Sequence, residues 1–316
     1  MPDTPLPSIA EVVAARDRIS PYIHRTPIAT SARLDTELGL RAFFKCENLQ
    51  KVGAFKARGA VNAVLLLDEA AAARGVVTHS SGNHGQALAY AAAIRSIPCT
   101  VVMPRHAPAV KQEAVAGYGA RVVLCGHEER RTEAARVVSA TGGTLIHPFE
   151  HPDVIAGQGT AALEMIEELG DLDVVIAPIG GGGLMSGTAL VVRDRVPRAD
   201  LVAAEPEAVD DAYRSFAGGV LQPDVANPET IADGLLTAVG ERPFAILRQG
   251  DLRVVLVGEA EIAAAARFHL ERMKLVVEPS GATGLAALRR IAPEIPGARV
   301  GVIVSGGNTD FSWLCR

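Results

Sequence analysis

The sequence predicts an α/β protein built on mostly parallel sheet. Three observations carry this. From about residue 75 onward, β-branched runs alternate with Ala-rich helical runs across Gly, Pro and Ser turns, and strands alternating with helices give parallel sheet through right-handed crossovers. The chain of 316 residues is 48% hydrophobic and 21% charged, which suits a globular protein with a large core and about two domains. Three turns rich in Gly or Ser each follow a strand-like run, and open α/β sheets hold ligands at the carboxyl ends of their strands.

The elements follow in order. Residues 8–19 read as an amphipathic helix, with Ser8 and Glu11 forming a capping box. Tyr22 to Thr30 is extended, interrupted by Pro27, and Phe43 to Glu47 is a short strand. Strands at 76–80, 99–103, 121–125 and 144–147 alternate with helices at 84–96, 108–117 and 128–140. The Pro-containing stretch 148–152 is the predicted crossover between domains. Beyond it come a helix at 154–169, a strand at 173–179, a glycine run, a helix to about 195 and a strand at 201–205. Residues 206–250 show no clear period. A strand at 253–257, helices at 259–273 and 281–291, and a strand at 299–304 complete the chain.

Composition narrows the function. Net charge is -5, aromatics are 4% and no basic block appears, so no nucleic-acid partner is expected. Met1 to Pro7 lacks the charged start and apolar run of a signal peptide. No apolar run approaches the ~20 residues that span a bilayer, so no membrane partner is expected. Cys46, Cys99, Cys125 and Cys315 are scattered, without a CxxC. They read as small core residues of a reducing, cytoplasmic compartment.

The stretch Asn48 to Gly59 reads as a turn entering a helix. Lys56 and Arg58 fall in its first turns, where the helix dipole disfavours cations. Flanked by Ala54, Phe55 and Ala57, Lys56 is expected to be partly desolvated, which frees an amine for Schiff-base chemistry. Alone, this stretch is explained as well by a snorkelling lysine. The turns tip the balance. Ser80-Ser81-Gly82-Asn83-His84-Gly85-Gln86 has more small donors than one helix cap needs. Gly180-Gly181-Gly182-Gly183 carries an entropic cost that close approach of a phosphate explains. It matches neither GxGxxG nor a Walker A loop. Ser305-Gly306-Gly307-Asn308 follows the last strand. One lysine and two anion-binding turns fit pyridoxal 5'-phosphate and a substrate carboxylate.

The chain resembles the fold-type II pyridoxal-phosphate enzymes, in the branch of serine/threonine dehydratases, serine racemases and hydroxyaspartate dehydratases. The matching blocks are KCENLQKVGAFKARGA at 45–60, SSGNHGQALAYAA at 80–92, IAGQGTAALE at 155–164, GGGGLMSG at 180–187, ETIADG at 229–234, ERMKLVVEPSGA at 271–282 and SGGN at 305–308. The resemblance implies a tryptophan-synthase-β-like fold with two open, mostly parallel twisted sheets flanked by helices. Residues 1–70 and 148–316 would form a large cofactor-binding domain, and 71–147 a small domain closing over substrate. It further implies that Lys56 carries the cofactor, with Phe55 beside it and Asn83 on the pyridine 3-hydroxyl. Gly180, Gly181, Gly182 and Gly183 would cradle the phosphate, and Ser305 would face the pyridine nitrogen. Ser80, Ser81, Asn83 and His84 would hold the substrate carboxylate, with Ser81 catalytic on the face opposite Lys56. Glu205, Asp211 and the carbonyl of Val209 would bind Mg²⁺, Ca²⁺ or Mn²⁺, hard cations that suit oxygen ligands. A homodimer is implied as well.

The expected activity is dehydration of a β-hydroxy L-amino acid, of serine or threonine type, to a 2-keto acid and ammonia. Lys56 serves as general base. A neutral Ser305 at the pyridine nitrogen favours elimination over transamination. The alternatives are threo-3-hydroxyaspartate ammonia-lyase and serine racemase with side dehydratase activity. Further off stand a β-replacement synthase and a non-catalytic amino-acid sensor. Ala54 stands where many dehydratases carry serine and hints at a β-carboxylated substrate. The chain ends soon after SGGN, so the regulatory domain of biosynthetic threonine deaminases is not expected.

Overall fold

The computed structural model describes residues 5–80, 82–105, 107, 109–126 and 128–315. In chain order the elements are α1 (Ile9–Ile19), β1 (Ile28–Ala29), α2 (Ala32–Leu38), β2 (Arg41–Cys46), α3 (Lys56–Leu65), α4 (Glu69–Arg74), β3 (Val76–His79), α5 (Asn83–Arg95), β4 (Cys99–Pro104), α6 (Ala109–Gly117), β5 (Arg121–Cys125), α7 (Arg130–Thr141) and β6 (Thr144–Leu145). There follow α8 (Pro152–Leu169), β7 (Val174–Pro178), α9 (Gly183–Arg195), β8 (Asp200–Pro206), α10 (Asp211–Gly218), α11 (Glu241–Leu247), β9 (Arg253–Val257), α12 (Glu259–Phe268), α13 (Pro279–Ile291) and β10 (Arg299–Val304).

The strands form two sheets. The larger has the order β1-β2-β10-β7-β8-β9 and the smaller β5-β4-β3-β6. Every pairing is parallel except that of β1 with β2. The predicted fold class is therefore borne out. Strands β7 and β10 sit inside the larger sheet and are apolar along nearly their whole length, as expected for strands covered on both faces. One face packs on α2, α12 and α13 through Leu34, Ile262 and Leu285. The other packs on α1, α8, α9 and α11 through Val12, Leu163, Met185 and Leu247. A third apolar cluster joins α3 and α5 to the smaller sheet through Val61, Leu88 and Val101.

Local signals explain the well-predicted elements. The Glu11 carboxylate accepts from the Ser8 N–H at 2.6 Å and closes the start of α1. Pro152 and Pro279 stand at the first positions of α8 and α13, where no N–H is needed. Four short helices were not expected: α2, α4, α10 and α11. Each has eight residues or fewer, too few turns for a 3.6-residue period to stand out. The predicted helix 259–273 ends at Phe268 and continues as one π-helical turn over His269–Met273. That wider turn places the fully buried His269 ring edge-on to Phe44, with centroids 5.3 Å apart.

The topology gathers the carboxyl ends of β2, β10 and β7. Strand β10 lies between β2 and β7, so the loops leaving all three begin side by side, at the kind of switch point where open sheets bind ligands.

Candidate active site

Lys56 is the first residue of α3. The approach to it is tightly turned. Val52 and Gly53 both have positive φ, 55° and 69°, and Val52 is β-branched, so this conformation is strained. Tertiary bonds hold it. Asn308 Nδ2 donates to the Val52 carbonyl at 2.7 Å, Gly307 N donates to the Gly53 carbonyl at 2.9 Å, and Phe55 N donates to the Ser305 carbonyl at 3.0 Å. The loop after β10 thus fixes the loop after β2, and Ser305 lies beside Phe55 and Lys56.

The Lys56 amine donates to the Pro148 carbonyl at 2.9 Å and lies 4.9 Å from the Phe55 ring centroid. The residue keeps some solvent access, but its amine is surrounded by protein, and burial pushes its pKa down to about 8. The desolvation expected from its neighbours is therefore present, and the amine is poised for proton transfer near neutral pH.

The glycine run adjoins it. Gly182 has φ +85°, and α9 begins at Gly183. The first N–H groups of a helix have no partner within it and attract anions. A side chain at Gly181 would run into the Phe149 ring, and one at Gly183 would come within 3.0 Å of Phe149 Cβ. Pro148 and Phe149 thus touch both features: the Pro148 carbonyl holds the amine, and Phe149 floors the glycine cradle. A buried amine of lowered pKa beside a side-chain-free helix N-terminus fits pyridoxal phosphate, an aldehyde joined to a phosphate.

The turn after β3 completes the cleft. Ser80 Oγ accepts from Gly82 N at 3.2 Å, and α5 starts at Asn83 without a side-chain cap. His84 is buried, and its Nε2 lies 3.1 Å from the Ile146 carbonyl while Nδ1 has no partner. Its pKa is held well below the ordinary value by burial and next by the charge on Lys56, and Ile146 lies two residues before Pro148, whose carbonyl receives the Lys56 amine. Ser81 lies outside the described residues. Two further imidazoles, unanticipated, line the region: His79 and His147 pack edge-to-face at 5.3 Å, and His147 packs on Phe149 at 4.6 Å. Burial above all lowers them to about 4 and about 3, so both are neutral.

Asn83 meets an unpredicted partner. Its Nδ2 donates to Glu278 Oε1 at 2.9 Å, and Asn308 Nδ2 donates to Asn83 Oδ1 at 2.8 Å. Glu278 is the N-cap residue of α13, but its side chain makes no capping hydrogen bond. Its other oxygen accepts from Asn308 N at 3.1 Å. Burial and then the Asp233 charge push Glu278 up to about 8. In sequence Glu278 reads only as a residue before a Pro-initiated helix, so nothing marked it as a partner of Asn83. A cavity of about 470 Å³ borders this knot, lined by Gln86, Lys111, Asp233, Asn308 and Trp313. Lys56 and the glycine run are not among its walls.

Glu205 and Asp211 form a separate acidic cluster at the end of β8. Glu205 accepts from Ala212 N at 2.7 Å and from Tyr213 N at 2.8 Å, closing the start of α10. Asp211 Oδ2 is buried without a partner. Burial, and after it neighbouring carboxylates, push Glu205 up to about 8 and Asp211 to about 7. Among the described residues, no three His, Cys, Asp or Glu side chains converge on a metal-sized gap.

Comparison with known proteins agrees with this geometry. A family model described as pyridoxal-phosphate dependent enzyme matches residues 19–306. The chain belongs to this family. It is 47% identical over 311 residues to the β-hydroxyaspartate dehydratase of Paracoccus denitrificans, covering 98% of each chain. The solved serine racemase of Dictyostelium discoideum superposes with a TM-score of 0.92 at 46% identity, covering 96% of this chain and 99% of that one. The solved serine racemase of maize gives a TM-score of 0.93 at 41% identity, covering 98% of each chain. The resemblance read from the sequence is thereby borne out, and the protein is a pyridoxal-phosphate dependent enzyme of fold type II. Among the described residues no helix is long and apolar enough to cross a membrane.

Proposed function

We propose that this protein is a dehydratase that converts a β-hydroxy L-amino acid of serine or threonine type to a 2-keto acid and ammonia. The observation that carries the reading is the Lys56 amine, lowered to about 8 and held at the Pro148 carbonyl between the glycine cradle and the Ser80–His84 turn. Bound pyridoxal phosphate supplies an electron sink for the substrate α-carbon. The protein does the rest. The N–H groups around Gly180–Gly183 and the start of α9 hold the phosphate. Ser80, Ser81, Asn83 and His84, with the α5 N-terminus, hold the substrate carboxylate. Phe55 would pack beside the cofactor ring, Asn83 would face its 3-hydroxyl, and Ser305 would face its nitrogen in place of a carboxylate. Lys56 would take the α-proton as the β-hydroxyl departs, so that the two are lost together as water, and hydrolysis of the released enamine gives the 2-keto acid and ammonia. Residues 71–147 close over residues 1–70 and 148–316 and exclude water. Ser81, for which the family resemblance implies the face opposite Lys56, is the proposed proton donor for side racemisation.

A second reading, threo-3-hydroxyaspartate as substrate, has specific support. Ala54 is fully buried and forms an isolated antiparallel bridge with Gly306, and a 47% identical relative is named for hydroxyaspartate. Keto-acid release from serine, threonine and both diastereomers of 3-hydroxyaspartate separates the two. The dehydratase reading predicts turnover of at least one; no keto acid from any of them rejects it. A hydroxyaspartate rate at least tenfold above the others selects the second reading.

Glu205, Asp211 and the Val209 carbonyl are the proposed ligands of a divalent cation, Mg²⁺ first among them. The unpartnered Asp211 oxygen and two carboxylates whose pKa values are raised toward neutrality fit a cation, which would offset their repulsion. Protons compete with the cation there, so affinity should rise as pH rises through 7 and 8. At 100-fold excess over Kd, Mg²⁺ should stabilise the fold by about 2.7 kcal/mol, measured by melting against a chelator. Asp211→Asn should remove the effect, and no Mg²⁺-dependent shift at pH 8.5 would reject the site. A homodimer is the proposed assembly.

A further inference from the structure

The proposed cofactor grip has two anchors on different helices: the amine on α3 and the phosphate cradle at the start of α9. Helix α8 lies between these helices, and it touches each through glycine. A Cβ on Gly157 would come within 2.6 Å of Gly59 Cα and 2.7 Å of the Arg58 carbonyl, both on α3. A Cβ on Gly159 would come within 2.8 Å of the Gly187 carbonyl on α9, and one on Gly187 within 2.5 Å of Gly159 N. These are backbone-to-backbone contacts that no methyl group could enter without moving a helix.

The spacing matters. Gly157 and Gly159 are two residues apart, about 200° around a helix of 3.6 residues per turn, so they face opposite neighbours. Gly59 lies three residues from Lys56, and Gly187 four residues from Gly183. Each contact is therefore about one turn inside the end that bears its anchor. Polar ties hold the same arrangement. Gln158 Oε1 accepts from Gly59 N at 3.1 Å, and Arg58 on α3 donates to Thr160 and Glu164 on α8 at 3.1 and 2.8 Å. The lead-in to α8 repeats the pattern, because Pro148 holds the amine and Phe149 packs on the cradle.

We propose that α8 is a spacer: Gly157 and Gly159 are positioning residues that set the distance between Lys56 and the phosphate cradle to the length of pyridoxal phosphate. This rests on the two-anchor reading of the cofactor and goes beyond it, because neither glycine touches a reacting atom. A ligand that uses both anchors must feel the spacing, and a ligand that uses one must not.

The test compares binding of pyridoxal phosphate with binding of inorganic phosphate to the full-length, cofactor-stripped protein. Gly157→Ala and Gly159→Ala should weaken pyridoxal phosphate at least tenfold while changing inorganic phosphate less than twofold. The absorption band of lysine-bound cofactor should form more slowly in both. Equal weakening of the two ligands would mean general damage and overturn the proposal, as would wild-type cofactor affinity in a folded glycine variant. If circular dichroism shows that neither alanine variant folds, Gln158→Met carries the test. It removes the bond to Gly59 N without adding bulk between backbones, and should weaken the cofactor about threefold with the same selectivity. Failure of the two-anchor reading looks different: the lysine-linked band would then survive Lys56→Ala.

Discussion

Lys56→Ala should abolish the absorption band of lysine-bound cofactor and lower turnover by at least about a thousandfold, the upper part of the range for loss of a positioned proton-transfer group. The argument is electrostatic and geometric. The amine makes its hydrogen bond to a carbonyl, not to a carboxylate, and among the described residues no ion pair holds its proton. Burial lowers its pKa to about 8, and the amine is uncharged above that value. Attachment of pyridoxal phosphate to the stripped protein should therefore quicken as pH rises from about 6.5 to 8.5 and level off beyond. The fold should survive, because the Lys56 amine bonds only a carbonyl and Arg58 anchors the same helix. Inorganic phosphate should still bind the glycine cradle of the variant. Stopped-flow absorbance and keto-acid release measure both effects. A variant that kept the band, or kept a tenth of its turnover, would remove Lys56 from the chemistry.

The reach of the sequence has a physical limit that particular residues mark. Strands such as β7 and β10 were legible because each is a continuous apolar run bounded by turns. The glycine run was legible because four adjacent glycines cost too much conformational entropy to serve as a plain turn. Lys56 was ambiguous alone and became clear only beside those turns. Glu278 was hidden: its partners Asn83 and Asn308 are 195 and 30 residues away, and tertiary packing alone buries it. His79, His147 and Phe149 were hidden likewise, since three rings meeting edge-to-face from a strand end and a distant loop leave no local period. Gly157 and Gly159 stood inside a recognised block. Their sequence signal was only that glycine is a poor helix former, while the reason for them lies on two other helices.

Arg58→Met should destabilise the protein by about 3–5 kcal/mol, the usual cost of removing one partner from a buried ion pair. Arg58 is fully buried. It donates to Glu47 at 2.6 and 2.9 Å and to Glu164 at 2.8 and 2.9 Å. Lys45, also fully buried, donates to Glu164 at 2.7 Å and to the Thr26 carbonyl at 2.7 Å. Two cations thus face two carboxylates with little access to water. Burial would raise the Glu164 pKa, but hydrogen bonds and charge from Arg58 and then Lys45 outweigh it and hold the group below its ordinary value. A carboxylate lowered in this way stabilises the fold above its unfolded pKa of about 4.5 and loses that contribution as pH falls through its folded value. Methionine fills much of the arginine volume and leaves Glu164 with Lys45. Glu47 keeps only the Thr26 hydroxyl, at 2.5 Å. Because the Glu164 contribution is lost as pH falls, the deficit should be largest near pH 8 and shrink toward pH 5. Denaturant unfolding at several pH values measures this. Glu47→Gln in the Arg58→Met background should restore part of the loss, because a neutral amide replaces the uncompensated charge. A deficit below about 1 kcal/mol at pH 8, or no recovery in the double variant, would mean that the cluster does not brace α3. Recovery of stability in the double variant without recovery of cofactor affinity is the further expected result. It would separate the charge balance that lets α3 fold from the bonds to α8 that aim Lys56.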